Sequence, residues 1–128
     1  MGLDMYAFAV HPDNAKGDFK IVLDDEYIKE EFQYWRKHNA LHSWMENLYR
    51  AKGGDAETFN CIPLRLTEED LLKLIEDAKS HKLQSASGFF WGVPYDYDDE
   101  IANMDIEFAH KALDKIEQGF TVYYDSWW

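Results

Sequence analysis

Hydrophobic positions change their spacing several times along this chain, and each change marks an element. From Leu3 to Val10 the residues are apolar apart from Asp4, with Tyr6 and Phe8 on the same side as Asp4 by period two. This predicts a strand buried on at least one face. His11-Pro12-Asp13-Asn14 is turn chemistry, and Gly17-Asp18 repeats the signal. Phe19 to Leu23 predicts a short second strand. Asp24 or Asp25 then caps a helix that runs to about Lys52 and stops at Gly53-Gly54, with a kink near Asn39. On that helix Tyr34, Trp35, Leu41, Met45, Leu48 and Tyr49 share a wide apolar arc, and Glu31, His38 and His42 fall inside it.

Phe59 to Leu66 reads as a strand, with Pro63 placing it at an edge or an irregularity. Thr67-Glu68-Glu69-Asp70 opens a helix with a capping-box pattern, and Leu71, Leu74, Ile75 and Ala78 form its inner stripe. Ser85 to Pro94 is a glycine-bounded aromatic segment. Asp98-Asp99-Glu100 begins a third helix, whose inner positions are Ile101, Met104, Phe108, Ala112 and Ile116, and Gly119 ends it. Phe120 to Tyr124 alternates as a last strand. The order predicts an α+β fold: a small, antiparallel sheet of three to four strands with about three helices on one face. Pairing of the first and last strands would bring Asp4 and Tyr6 near Tyr123 and Trp127.

The 128 residues favour one domain, and folding at this size buries roughly two thirds of the unfolded surface. Hydrophobic residues make up 46% of the chain, which argues against disorder. A single cysteine, Cys61, excludes an internal disulfide framework and makes a reducing, cytoplasmic setting the default. Its place in a strand predicts an inert thiol. No basic-then-apolar leader opens the chain, and no apolar stretch approaches the ~18 residues of a membrane span. The net charge of −12 disfavours direct nucleic-acid or anionic-membrane binding and favours a basic partner surface.

The candidate chemistry centres on Tyr34-Trp35-Arg36-Lys37-His38-Asn39-Ala40-Leu41-His42. Guanidinium and ammonium groups hold phosphate or carboxylate, and rings stack on a base. Arg36, Lys37, His38, His42, Asn60, Tyr34, Trp35, Asp4 and Tyr6 are therefore the candidate residues for a small anionic ligand. Phe90 and Trp91, with the acidic cluster Asp98, Asp99 and Glu100, are candidates for a protein contact. The i, i+4 spacing of His38 and His42 suits a shared metal, but Asn39 stands where a metalloprotease carries its general base, and no metal or other cofactor is expected.

Several of these motifs, in order along nearly the whole chain, resemble a small protein family of tailed bacteriophages and some bacteria. They are Gly2-Leu3-Asp4-Met5-Tyr6, Tyr34-Trp35-Arg36-Lys37 with Asn39, His42 and Trp44, Asn60-Cys61, Glu69-Asp70-Leu71, Gly88-Phe89-Phe90 with Gly92, Tyr95-Asp96, and Tyr123/Tyr124-Ser126-Trp127. Members sometimes carry the label phosphoglycerate kinase, which does not suit a chain with no Gly-rich phosphate loop and no second lobe. The resemblance implies a viral or mobile-element accessory protein and carries over no catalytic residue. The expected function is binding: either a counter-defence inhibitor that engages a host protein, or a protein that sequesters a small anionic ligand such as a nucleotide in the host cytoplasm. The alternative is a small enzyme, with or without a metal, acting through His38, His42 and Glu31.

Overall fold

The computed structural model describes residues 2–21, 29–83 and 96–128. Four strands form one antiparallel sheet: β1 (Asp4–Val10), β2 (Lys29–Arg36), β3 (Leu64–Leu66) and β4 (Thr121–Trp127), in the order β2-β1-β4-β3. Three helices, α1 (Asn39–Ala51), α2 (Glu68–Lys79) and α3 (Asp99–Glu117), pack on one face of it. This is the expected α+β architecture. The first and last strands are neighbours, with Asp4 opposite Trp127, Tyr6 opposite Asp125 and Phe8 opposite Tyr123.

One expectation is overturned at the centre of the chain. Residues 29–36 do not belong to a long helix. They form β2, and the helix begins only at Asn39. The expected kink is in fact a change of element. Residues 22–28 and 84–95 lie outside the described set, so the proposed helix start at Asp24 or Asp25 and the aromatic segment with Phe90 and Trp91 lie there too. Of the expected second strand, Ile21 makes a single bridge to Ala15. The strand expected over Phe59–Leu66 shrinks to three residues. Cys61 adopts φ 59° and is exposed, not buried in a strand, and partial desolvation followed by the charge of Asp125 holds its thiol above the ordinary range.

Pairing of β1 with β2 slips by one residue between Ala7 and Phe8. Ala7 faces Gln33 and Phe8 faces Glu31, which leaves Phe32 as the extra residue of a bulge. The bulge lets Phe32 and Trp35 both reach Phe108 of α3, stacked at 6.0 Å and edge-on at 4.7 Å. Two lysines of α3 fasten the same strand. Lys111 Nζ donates to Gln33 at 3.2 Å and Lys115 Nζ to Glu30 at 2.7 Å.

The main core lies between the sheet and the helices, and a smaller one, Phe8, Val10 and Tyr123 packed by Ala15 and Ile21, lies on the other face. Leu3, Met5 and Ala7 meet Val122 and Tyr124, Leu64 and Leu66, and inward residues of all three helices. The expected capping box on α2 is present: Thr67 Oγ1 accepts from Asp70 N, and Asp70 Oδ2 accepts from Thr67 N. The stripe of α3 is rotated from its expected position. Ala102, Asp105, Phe108, Ala109 and Ala112 face inward, while Met104 is 51% exposed.

Candidate functional site

The turn from β2 into α1 takes two residues. Lys37 has φ 60°, in the left-handed region, and its N–H donates to Leu3 O at 2.7 Å. His38 follows as the N-cap of α1. This reversal sets the last residues of β2 against the first turns of α3. The result is an open cleft of about 430 Å³. Tyr34, Arg36, Lys37 and His38 line one side, and Ile101 and Met104 the other. Trp35 lies at its base, almost wholly buried.

Asp4 of the neighbouring strand ties down two of these side chains. Tyr34 Oη donates to Asp4 Oδ1 at 2.6 Å, and Arg36 Nη1 donates to the same oxygen at 3.3 Å. The bond to Asp4 holds the Tyr34 phenol above its ordinary range. Gly2 sits close behind, where a Cβ would come within 3.0 Å of Arg36 Nη2 and Lys37 Cε.

His38 belongs to the cleft wall and to the core. Its Nε2 lies 2.8 and 3.0 Å from the two carboxylate oxygens of Asp105, which is completely buried. Tyr97 Oη donates to Asp105 Oδ2 at 2.5 Å. The imidazole is therefore fixed in orientation by a carboxylate that is itself held. Around the corner, His81 stands edge-on to Tyr97 and 2.8 Å from Asp99.

The two histidines that share a helical spacing do different things. His42 is fully buried, stacked on Phe59 at 5.3 Å, with Nδ1 2.6 Å from Tyr124 Oη. Burial drives its pKa down to about 3 and pushes the Tyr124 phenol well above its ordinary value. Both groups are neutral at pH 7, and they share a hydrogen bond in the core. Glu31 lies on the opposite face of the sheet. The expected cluster of His38, His42 and Glu31 is thus dispersed. Among the described residues, no three His, Cys, Asp or Glu side chains gather in a way that could hold a metal ion.

Of the expected ligand residues, Tyr34, Trp35, Arg36, Lys37 and His38 come together, with Asp4 beside them. His42 and Asn60 do not join them, and Tyr6 touches the group only through the Tyr34 ring. The Asn60 side chain clips Trp128: Nδ2 donates to Trp128 O at 2.8 Å, and Oδ1 accepts from Trp128 N at 3.0 Å. Of the acidic cluster, Asp98 caps α3 through Ile101 N, Asp99 pairs with His81, and Glu100 is exposed.

Tyr6 belongs to a second cleft, of about 280 Å³, on the sheet face away from the helices. Phe8, Glu31, Cys61, Asp125 and Trp127 line it with Tyr6. Tyr6 stands 6.2 Å from Phe8 and 5.5 Å from Tyr34, centroid to centroid. Its phenol is held above the ordinary range, by partial burial first and then by the charges of Asp4, Glu31 and Asp125. Sequence reasoning missed this cleft because it placed Glu31 on a helix. The signal available was the alternation Asp4-Tyr6-Phe8 beside Tyr123-Asp125-Trp127, which antiparallel pairing brings onto one surface.

No family model matches the chain, and neither a curated protein nor a solved structure is significantly similar to it. No described helix is long and apolar enough to cross a membrane.

Proposed function

We propose that this protein works by binding, and that the cleft between the end of β2 and α3 holds a small anion with a planar or apolar part, of the nucleotide class. The carrying observation is the composition of that cleft. Arg36 and Lys37 bring two cations to one wall of a chain with net charge −12, beside the Tyr34 ring and opposite Ile101 and Met104. The cations supply charge-assisted bonds to phosphate or carboxylate, and the ring and apolar wall cover the remainder of the ligand. An acidic protein gives such a ligand no long-range steering, so affinity rests on these local contacts. In an infected cell, a phage accessory protein of this kind acts in counter-defence by withdrawing a nucleotide from the host.

Calorimetry and native mass spectrometry with nucleoside monophosphates and inorganic phosphate test this. We expect one ligand per chain and at least a tenfold loss of affinity in Lys37→Ala, whose exposed side chain leaves the fold unchanged. Lack of binding to every anion tried, or full affinity in Lys37→Ala, overturns it.

A second reading, catalysis in the same cleft, is favoured by the bond between His38 and buried Asp105. A carboxylate that orients an imidazole is the arrangement of a general base. Turnover of a bound phosphoester that disappears in His38→Gln, with binding retained, would support this reading over simple sequestration.

A further inference from the structure

A third cleft, of about 320 Å³, opens where β1 begins and β4 finishes, lined by Gly2, Asp4, Trp127 and Trp128. It borders the cleft between β2 and α3. Arg36, Asp4 and Trp127 stand opposite one another on β2, β1 and β4, so their side chains leave one face of the sheet in a row. Gly2 joins the two clefts. It floors the third, and Arg36 Nη2 and Lys37 Cε close over it, each 3.0 Å from where a Cβ would sit. The two cations of the first cleft therefore lie at its boundary with the third. The tryptophans of the third cleft differ in freedom. Trp128 is held, since its indole Nε1 donates to Phe59 O at 3.2 Å and Asn60 bonds its backbone on both sides. Trp127 is 68% exposed. A fixed ring beside a free one suits a planar group, because the fixed side is already ordered.

We propose, building on the anion-binding reading of the first cleft, that the ligand is a dinucleotide: two nucleosides joined by a phosphodiester, with the phosphate over Gly2 and one base in each cleft. Each cleft reaches the ~300 Å³ at which pockets for small molecules begin. Each also offers ring surface for a base to stack on, Tyr34 in the first and the two indoles in the third. β2 and β4 are two strand spacings apart, about 10 Å, which is wider than one base and calls for a ligand with two. Charge sets the linkage. Arg36 and Lys37 against Asp4 leave one positive charge in excess at the junction, which matches the single charge of a phosphodiester. A terminal phosphate carries roughly two and is only partly compensated there. A longer strand adds a charge with every nucleotide and is repelled by a chain of net charge −12, so the short ligand is favoured.

Calorimetry on the full chain compares inorganic phosphate, AMP, the dinucleotide adenylyladenosine and a short oligoadenylate, on wild type, Lys37→Ala, Trp127→Ala and Trp127→Phe. We expect wild type to bind one dinucleotide per chain, at least tenfold tighter than AMP. Trp127→Ala should lower dinucleotide affinity at least tenfold and AMP affinity less than twofold. Trp127→Phe, which keeps a ring, should restore most of the difference, and Lys37→Ala should weaken both ligands. Equal affinity of wild type for AMP and the dinucleotide overturns the second base site and leaves the first cleft's reading standing. So does a Trp127→Ala chain that binds both ligands as wild type does, or loses both alike. Tighter binding of the oligoadenylate than of the dinucleotide would make the occupant a nucleic-acid strand and overturn the dinucleotide. If no anion binds, both readings fall together. If Trp127→Ala fails to fold, the ligand comparison on wild type decides alone.

Discussion

The two faces of the sheet hold their polar side chains with different kinds of partner. On the helix-covered face, each polar side chain of note is held by another. His42 meets Tyr124, His38 and Tyr97 meet Asp105, and the Trp44 indole donates to Asp77 at 2.9 Å. On the other face the holding contacts lie within the sheet and the segment that follows β1: Tyr34 and Arg36 donate to Asp4, the Tyr123 phenol donates to the Gly17 carbonyl, and Asp125 Oδ1 accepts from Ser126 N, while Glu31 and Asp125 line a cleft with Tyr6. The contrast teaches that the residues most suggestive in the sequence, the paired histidines, are largely structural. Burial demands partners for them, and the fold supplies those partners. Tyr34, Arg36 and Lys37 at the end of β2, and Glu31 and Trp127 on the far side of the sheet, are exposed instead.

The largest effect that could break this contrast comes from the packing that joins the covered face to β2. Phe108 meets both Phe32 and Trp35, so Phe108→Ala should cost about 3–5 kcal/mol in denaturant unfolding. A much smaller loss would mean that α3 does not hold β2 in place.

Asp105→Ala should come next, at about 3 kcal/mol, because His38 and Tyr97 both lose a buried partner. Nucleotide binding in this variant, measured at a temperature where it stays folded, sharpens the comparison. Intact affinity confines Asp105 to a structural role, and lost affinity extends the cleft inward.

His42→Leu should cost about 1–3 kcal/mol, since Tyr124 Oη loses its neighbour in the core. The same residue sets a pH dependence. Its pKa is about 3 when folded and 6.5 ordinarily, so the unfolded chain binds the extra proton between those values. The stability it confers is complete above pH 6.5 and is lost as pH falls toward 3, at about 1 kcal/mol per pH unit. Unfolding between pH 7 and 5 should thus be more pH-dependent in wild type than in His42→Leu. Parallel curves would place His42 in a wetter setting than the fold gives it.

The smallest effects belong to the exposed residues of the other face. Glu31→Gln and Trp127→Ala should each shift stability by no more than about 0.5 kcal/mol, within the usual range for surface substitutions. A large loss in either would show that this face is part of the structural scaffold.

Much of the fold was legible. The alternation in β1 and β4, the Thr67 box and the acidic start of α3 all rest on local rules that tertiary contacts left intact. The region 29–36 was not legible, for a specific reason. The bulge at Phe32 turns both Phe32 and Trp35 toward the helices, and their spacing of three residues imitates a helical stripe. Lys29, Glu30 and Glu31 are also poor strand formers, and they join the sheet because α3 and β1 hold them. That misreading put Glu31 with the histidines and hid the acidic aromatic face. Asp105 was missed because a charge in mid-helix reads as solvent-facing. The neighbouring small residues Ala102, Ala109 and Ala112 carried the better signal, since the close approach of α3 to its neighbours, α2 above all, favours them.

The same bulge has a consequence for self-association. Among the described strands, β2 ends the sheet, and its outer backbone could template the addition of another molecule's strand. An extra residue interrupts the even ladder that such growth requires, and it increases the local twist. The charged run Lys29-Glu30-Glu31 occupies the same stretch, and successive copies would stack like charges on one another. Deleting Phe32 would remove the interruption at the expense of its stack on Phe108, and would leave the charged run as the remaining guard of a longer regular edge.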